Sequence, residues 1–205
     1  MTERHLVVIS AGLSDPSSTR LLADRLAQAT VAELAARGVA TTVENVELRD
    51  IAHDVMNMML TGFAAGDLSA VLEKVTGADG VIAVTPLFTT TYSGLFKSFV
   101  DILDKDALVG MPVLLGATGG TPRHSLALEY SVRPLFTYLR ADVATTSVFA
   151  ATDDWAGAVD DVNPLPARIK RAGRELAEMV ADREGSAAVD LYADAPTFEQ
   201  LLGGA

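Results

Sequence analysis

The stretch from Val81 to Leu103, "VIAVTPLFTTTYSGLFKSFVDIL", contains the kinds of segment from which the whole chain is built. It opens with apolar residues that are typical of a strand buried on both faces. It closes with apolar residues at helical spacing. Between them, Phe88–Ser93 carries hydroxyl groups and aromatic rings but no charge. We therefore interpret the stretch as strand, loop and helix, with a loop suited to a flat, uncharged ligand surface that is polar at its edges.

The same alternation of short apolar strands and helices extends to both sides of this stretch. We predict strands at His5–Ala11, Thr41–Leu48, Gly80–Thr85, Pro112–Ala117 and Val143–Ala150. We predict helices at Ser18–Arg37, 67–77, Gly94–Leu103, Arg123–Arg140 and Leu165–Arg183, and a long connector with one helical turn at 51–66. Such alternation implies parallel strands joined by right-handed crossovers. The predicted fold class is α/β, a flavodoxin-like three-layer sandwich with a five-stranded parallel sheet of order 2-1-3-4-5.

The length of 205 residues suits one sizeable core. We expect residues 1–184 to form a single domain and residues 185–205 to form a poorly ordered tail. The opening "MTERHLVVISAG" has an apolar run too short for a signal peptide or a membrane span. We therefore expect a cytoplasmic protein that does not engage a membrane.

Charge and cysteine content exclude several classes of function. The formal net charge of −11 repels phosphate backbones, so we expect no nucleic-acid partner. The chain has no cysteine, which excludes disulfides, thiol catalysis and thiolate metal sites. The three histidines are far apart and lack metal-ligand spacing, so we expect no metal site.

In a sheet of the predicted order, ligands bind at the carboxyl ends of the strands, where strands 1 and 3 are neighbours. This selects the loops after Ala11, Thr85 and Ala117. The first loop leads into a helix whose N-terminus combines free N–H groups with hydroxyl groups, an arrangement that binds anions. Its candidate phosphate-binding residues are Ser14, Ser18, Thr19 and Arg20. An equally weighted alternative is that Ser18 only caps the helix. Neither a GxxxxGK[ST] nor a GxGxxG motif is present.

The other two loops supply neutral walls. The second offers Pro86, Leu87 and Phe88, and the third offers the segment 118–121, which is Thr118, Gly119, Gly120 and Thr121. Adjacent glycines let the backbone approach a ligand closely and donate N–H groups to it. A phosphate site beside two neutral walls predicts flavin mononucleotide (FMN) as the cofactor.

Two segments of the chain resemble a known family. "ADGVIAVTPLFTTTYSGLFKSFVDIL" and "PVLLGATGGTPRHSLALEYSVRPLF" are similar to the NAD(P)H-dependent FMN reductases of two-component flavin monooxygenase systems. The resemblance implies bound FMN, NAD(P)H as hydride donor, a homo-dimer or tetramer, and a luciferase-like flavin-dependent monooxygenase as the partner that receives reduced flavin. It places 86–88 along the isoalloxazine ring, 118–121 at its pyrimidine edge, and Ser14, Ser18 and Thr19 at the phosphate.

The chain departs from the family in two places. Phe88 stands where the family often has Tyr, and the arginine common early in the phosphate loop is absent, with Asp15 nearby. Either Arg20 substitutes for that arginine or FMN binds weakly, as suits a flavin that diffuses away after reduction. Hydride transfer depends on stacking rather than on acid–base side chains, so we predict no catalytic acid or base.

Two other functions fit parts of the pattern. One is a flavodoxin-like electron carrier, which the acidic charge allows but the first loop does not support, because it lacks the T-x-T-G-x-T phosphate pattern. The other is an NAD(P)H:quinone or azo reductase. Arg123, at a predicted helix start, is a candidate for the nicotinamide nucleotide's phosphate, although a solvated arginine is the more common outcome.

Pro134 lies inside a predicted helix and has no N–H to donate to the Tyr130 carbonyl. In addition, Leu126 and Tyr130 fall out of phase with the apolar stripe formed by Leu128, Val132, Leu135, Phe136 and Leu139. One extra residue in the turn corrects both faults, so we predict a π-bulge around Leu128–Pro134 with an i→i+5 bond from Leu135 to Tyr130. The resembling reductases have a tyrosine in a helix distorted in this way, and Tyr130 is accordingly predicted at a subunit interface near the flavin. The alternative is a simple proline kink that leaves Tyr130 in solvent.

Overall fold

A computed structural model describes residues 3–156 and 163–183 of the chain. The predicted tail, 185–205, lies outside the described residues. No helix within the described ranges is long and apolar enough to cross a membrane.

The described part of the chain forms one seven-stranded sheet. Its strands are β1 (Glu3–Ser10), β2 (Ala40–Glu47), β3 (Gly80–Phe88), β4 (Thr91–Tyr92), β5 (Pro112–Gly119), β6 (Asp142–Val143) and β7 (Val148–Ala151). The main path runs β2-β1-β3-β5-β6, all parallel, while β7 also pairs with β5 and β4 pairs antiparallel with β3. The α/β class and the parallel sheet are confirmed. The predicted count of five strands in order 2-1-3-4-5 is wrong in detail.

The first difference is the short strand β4, which belongs to a hairpin that no turn motif in the sequence indicates. Thr89 and Thr90 have φ of 51° and 74°, and they turn the chain so that Phe88 pairs with Thr91. A two-residue hairpin turn of this kind needs positive φ at both central positions and therefore favours Asn-Gly. Two β-branched threonines give no such signal.

The second difference is that the predicted last strand is divided into β6 and β7. Side chains bind the backbone in the gap between them. Arg133 donates to the carbonyls of Ala144 and Thr145, each at 3.1 Å. Glu175 accepts from the Thr146 N–H at 2.7 Å and from its hydroxyl at 2.6 Å. Both strand segments remain paired with β5, so the division does not change the order of the sheet.

Helices cover both faces of the sheet and give three layers. They are α1 (Ser18–Ala36), α2 (Ala52–Thr61), α3 (Leu68–Thr76), α4 (Gly94–Asp101), α5 (Arg133–Tyr138) and α6 (Leu165–Asp182), with short 3₁₀ turns at Pro122–His124 and Thr152–Ala156. Alternate residues of the strands face opposite sides. Leu6 and Val8 pack with α1 and α6, whereas Val7 and Ile9 pack with the cluster that contains α2 to α5.

A π-helix occupies Leu128–Val132, inside the segment for which the π-bulge was predicted. Its end is closed by the Arg133 N–H, which bonds to the Leu128 carbonyl. This i→i+5 pair begins two residues before the pair predicted from Pro134. The long helix predicted over Arg123–Arg140 is therefore a 3₁₀ turn, a π-helix and the short α5. Tyr130 is 78% exposed in the single chain.

Candidate functional site

The carboxyl ends of β1, β3, β5 and β7 surround a cavity of about 510 Å³. Residues from all three predicted loops line it together with the segment after β7: Leu13, Ser14, Ser17, Ser18, Thr19, Pro86, Leu87, Phe88, Thr118, Gly119, Gly120, Ala150, Thr152 and Trp155. Nine of the predicted binding residues are therefore brought together. Arg20 and Thr121 are not part of this lining.

The part of the cavity suited to bind a phosphate is the N-terminus of α1. Ser17, not Ser18, caps this helix, because its Oγ accepts from the Arg20 N–H at 3.2 Å. The Leu21 N–H bonds to the Ser17 carbonyl at 3.0 Å. The N–H groups of Ser18 and Thr19 then have no acceptor within the described ranges, as is usual for the first turn of a helix. The capping alternative for Ser18 is wrong, and its hydroxyl stays available to the cavity.

A buried hydrogen bond joins the first and third loops. Thr19 Oγ1 and Thr118 Oγ1 lie 2.8 Å apart, and both residues are almost fully buried. A hydroxyl that already has one partner keeps capacity for another. Thr19 therefore both fixes the cavity wall and faces the anion-binding corner.

Arg20 does not contribute its charge to the cavity. Its Nε donates to Asp24 Oδ1 at 2.7 Å and its Nη1 to Glu47 Oε1 at 2.5 Å. The hydrogen bond to Asp24 is the main reason that the pKa of Arg20 is raised above its ordinary value. Two carboxylates hold the guanidinium on the side of α1 that faces β2, so the prediction that Arg20 lines the phosphate site is corrected.

Thr121 does not line the cavity either, because its side chain caps a neighbouring turn. It is the N-cap of the 3₁₀ turn Pro122–His124, where its Oγ1 accepts from the Arg123 N–H at 3.5 Å. The preceding glycines form the cavity wall instead. A Cβ built on Gly120 would meet nothing within 4 Å, whereas one on Gly119 would lie 2.9 Å from Phe149 Cζ. The Phe149 ring thus packs against the Gly119 backbone, whereas Gly120 faces open space.

The second loop supplies the apolar wall, and several of its hydroxyls hold the loop itself. Thr85 Oγ1 accepts from the Ser93 N–H at 3.1 Å and donates to the Pro86 carbonyl at 3.0 Å. Ser93 Oγ caps α4 by accepting from the Phe96 N–H at 3.2 Å. These bonds fix the backbone of Pro86 and Leu87. The Phe88 ring lies at the rim and is 46% exposed.

Sequence reasoning missed a fourth wall, made by Ala150, Thr152 and Trp155. Asp154 holds this segment, since its carboxylate accepts from the Ala151 N–H at 2.8 Å and from Arg168 at 2.5 Å. The rule for parallel sheets places the ligand beside strands 1 and 3, so it does not point to the segment after β7. The single tryptophan of the chain, in the segment that follows a predicted strand, was the available signal.

The sequence and structure of known proteins agree with this geometry. A profile described as NADPH-dependent FMN reductase matches residues 4–156. The chain belongs to this family. An FMN reductase (NADPH) of Pseudomonas aeruginosa is 35% identical over 180 residues, covering 87% of this chain and 93% of the relative. An NADH-dependent FMN reductase, SfnF, of Pseudomonas fluorescens is 34% identical over 174 residues, covering 85% and 90%.

Solved structures show the same flavodoxin-like fold for this FMN reductase family member. An oxidoreductase of Corynebacterium diphtheriae superposes with a TM-score of 0.85 at 44% identity, covering 90% of this chain and 100% of that one. The apo form of an NADH:FMN oxidoreductase (EMOB) gives 0.73 at 26% identity, covering 90% and 92%. The chain is thus an NAD(P)H:FMN oxidoreductase, with FMN and NAD(P)H as its flavin and hydride donor.

The donor set of the cavity fits FMN. Helix N–H groups and serine hydroxyls suit a phosphate, Pro86 and Leu87 form a flat apolar wall, and the Gly120 backbone is open to the polar edge of a ring. None of the described residues that line the cavity is charged. A phosphate bound there is held by dipoles and neutral donors alone, without a cation.

Proposed function

We propose that this FMN reductase binds FMN reversibly in the cavity described above, in the cytoplasm, and releases the reduced flavin to a luciferase-like flavin-dependent monooxygenase. One observation supports reversible binding more than any other: the cavity has phosphate-binding geometry, but no cationic side chain is present among the described residues of its lining. Charge-assisted hydrogen bonds are roughly twice as strong as neutral ones, and the phosphate lacks them from side chains here. A flavin held in this way can leave after reduction.

The roles of the residues follow their positions. Ser14, Ser18 and Thr19 bind the phosphate at the N-terminus of α1. The wall 86–88 lies along the isoalloxazine ring, and Thr118–Gly120 contacts its pyrimidine edge. Trp155 closes the cavity on the side of β7.

Bound FMN supplies a ring that accepts a hydride from the reduced nicotinamide stacked on it. The chain's own contribution is to hold the two reactants in register. The Thr19–Thr118 bond and the Thr85–Ser93 bond fix the loops that form the walls. Because the walls are fixed, less freedom is lost when the two rings reach a stacked geometry. No side chain needs to exchange a proton in this step.

A homo-oligomer, dimer or tetramer, covers the face of the sheet on which the π-helix lies. That face exposes large apolar side chains of the described residues at Met56, Met59, Leu60, Phe63, Leu126 and Tyr130. Clustered exposed apolar side chains mark interaction surfaces. Tyr130 is the residue that the π-helix presents toward the second copy.

The direct test is a comparison of FMN with riboflavin, which lacks the phosphate. Purified protein should lose its yellow colour on desalting and bind added FMN with a Kd in the micromolar range, about −8 kcal/mol. Colour retained through exhaustive dialysis would favour the electron carrier instead.

Ser18→Ala should weaken FMN binding about tenfold and leave riboflavin binding unchanged, because the Ser18 hydroxyl meets only the phosphate. Thr19→Ala is a poorer probe, since it also breaks the bond to Thr118. Equal losses for both flavins in Ser18→Ala would remove α1 from the phosphate role. NADH and NADPH oxidation with FMN, measured alongside a monooxygenase-coupled assay, tests delivery of the reduced flavin.

A further inference from the structure

The hydride donor carries phosphates that the flavin cavity does not accommodate. In the proposed function the hydroxyls at the N-terminus of α1 hold the flavin phosphate, and the part of the lining that the structure describes contains no lysine or arginine. The chain as a whole, with its net charge of −11, repels an anionic dinucleotide. Any cation that helps to hold the phosphates of the donor must therefore lie beyond the described walls of the flavin cavity.

Trp155 leads directly to such cations. Its ring lines the flavin cavity, and the guanidinium carbon of Arg25 lies 5.0 Å from the ring centroid. Arg25 also lines a second cavity, of about 340 Å³, between α1 and α6. Lys170 of α6 lines the same second cavity. The Trp155–Arg25 contact therefore connects the two cavities.

Some of the other cations on these two helices are held in ion pairs. Arg20 of α1 is paired with Asp24 at 2.7 Å, and Arg168 of α6 is paired with Asp154 at 2.5 Å. Within the described ranges, Arg25 and Lys170 form no ion pair with any carboxylate. Their charge is available to an anion, and charge-assisted bonds to phosphate are among the stronger polar contacts.

The second cavity also has an apolar side. Pro166 and Ile169 line it opposite the polar Gln28. A nucleotide presents a flat base together with charged phosphates, so an apolar surface beside two cations suits it. Arg25 lies two turns further along α1 than Ser18, about 10 Å by helical rise, so the two positions serve separate phosphates.

We infer that the cavity lined by Arg25 and Lys170 binds the phosphates of the nicotinamide nucleotide, whose nicotinamide extends past Trp155 to the flavin. This inference rests on the proposed function, because it names where the donor of that reaction is held. It assigns a binding role to Arg25 and Lys170 and a connecting role to Trp155.

Steady-state kinetics of the double variant Arg25→Ala/Lys170→Ala provide the first test. Its KM for NADPH should rise about tenfold with kcat unchanged, because the lost contacts bind the donor without touching the reacting atoms. Its KM for reduced nicotinamide riboside, which has no phosphate, should not change. A larger rise for NADPH than for NADH assigns the pair to the 2′-phosphate, and equal rises assign it to the diphosphate.

The matched control is Arg171→Ala. Arg171 follows Lys170 on α6, carries the same charge and lies outside the lining of the second cavity. Its KM values should equal those of the wild type. Arg123→Ala tests the alternative position beside the glycine loop, since Arg123 lines neither cavity.

A binding measurement provides a readout that does not depend on turnover. Calorimetric titration of flavin-free protein with adenosine 2′,5′-bisphosphate should give an affinity that falls with added salt. The double variant should lose that affinity about tenfold, whereas Arg171→Ala should retain it. Unfolding curves that match the wild type establish that each variant is folded.

Several results would overturn the inference. They are an unchanged NADPH KM in the double variant, an equal rise in Arg171→Ala, a rise with reduced nicotinamide riboside, or a weaker affinity for FMN in place of the donor. A rise in Arg123→Ala alone would move the phosphates to the other side of the flavin cavity. If the wild type does not oxidise NAD(P)H with FMN, the proposed function fails, which is distinct from all of these outcomes.

Discussion

Two long helices cover one face of the sheet, α1 with 19 residues and α6 with 18, whereas none of the described α-helices on the other face exceeds ten. The exposed large apolar side chains follow this division. Within the described ranges, α1 and α6 contribute only Leu21, while the short-helix face contributes residues from Met56 to Tyr138. The two long helices pack closely against each other, whereas the short-helix face leaves more apolar surface exposed.

The first way to test this comparison is a pair of glycine substitutions, one on each face. A Cβ on Gly173 of α6 would lie 2.7 Å from Ala29 Cβ and 2.9 Å from the Ala29 carbonyl carbon, so the α1–α6 contact has no room for it. Overpacking costs about 1–3 kcal/mol, part of which helix propensity offsets, so Gly173→Ala should lose about 1–2 kcal/mol. Urea unfolding measures the loss.

Gly94→Ala is the matched control on the short-helix face. Gly94 begins α4, and a Cβ there would meet nothing within 4 Å. We expect no loss of stability, or a gain of up to about 1 kcal/mol from reduced backbone entropy. Equal effects of the two substitutions would contradict the claim that the long-helix face is the more closely packed.

The second test concerns Arg133, which fixes the π-helix side of the short-helix face. Its guanidinium donates to Glu129 at 2.6 Å, to Ser147 at 2.8 Å and to two backbone carbonyls. Arg133→Met keeps the apolar stem but leaves these acceptors without a donor, and should cost about 2 kcal/mol in urea unfolding. Arg140→Met, which loses one exposed pair with Asp106 at 3.4 Å, should change stability by less than about 0.5 kcal/mol.

A third test uses pH. The hydrogen bond from Arg133, with a further one from Ser147, lowers the pKa of Glu129 below its ordinary value of 4.5. A lowered folded-state pKa means that the stabilisation is present above that ordinary value and is lost as pH falls through the folded-state pKa. Glu129→Gln should therefore flatten the loss of stability between about pH 5 and about pH 3. An unfolding midpoint that falls as steeply in the variant would contradict this.

The smallest effect on stability is expected at Tyr130. Because its ring is 78% exposed in the single chain, Tyr130→Ala should change the unfolding free energy of the monomer by less than about 0.5 kcal/mol. It should nevertheless lower the mass measured by light scattering, if the π-helix faces a second copy. Leu21→Ala, on the long-helix face, should leave the mass unchanged. The reverse result would place the subunit contact on α1.

The sequence predicted the long-helix face more accurately than the short-helix face. Helix α1 repeats buried leucines at Leu22 and Leu26, so its periodicity is strong. The segment of α2 was predicted as a connector with one helical turn, whereas the structure has a helix over Ala52–Thr61, of which only Val55 is buried. The π-helix was predictable for a different reason: Pro134 breaks the bonding pattern and the apolar phase at the same place.

The sequence predicted those lining residues that lie in loops at the carboxyl ends of neighbouring strands. Nine lining residues follow from the rule that ligands bind at the switch point of a parallel sheet. The partners of Arg20 could not be predicted in this way, because Glu47 comes close only through the pairing of β1 with β2. Trp155 was missed because the wall that it forms depends on the position of β7 beside β5.

The gap between β6 and β7 has a consequence for association between chains. An edge strand normally presents a row of unpaired N–H and C=O groups on which a foreign strand can grow. Here Arg133 binds two carbonyls of the gap and Glu175 binds its Thr146 N–H. Arg133 from one face of the sheet and Glu175 from the other thereby occupy backbone groups that an added strand would need. They interrupt the edge of the sheet at this point, which opposes fibril-like growth.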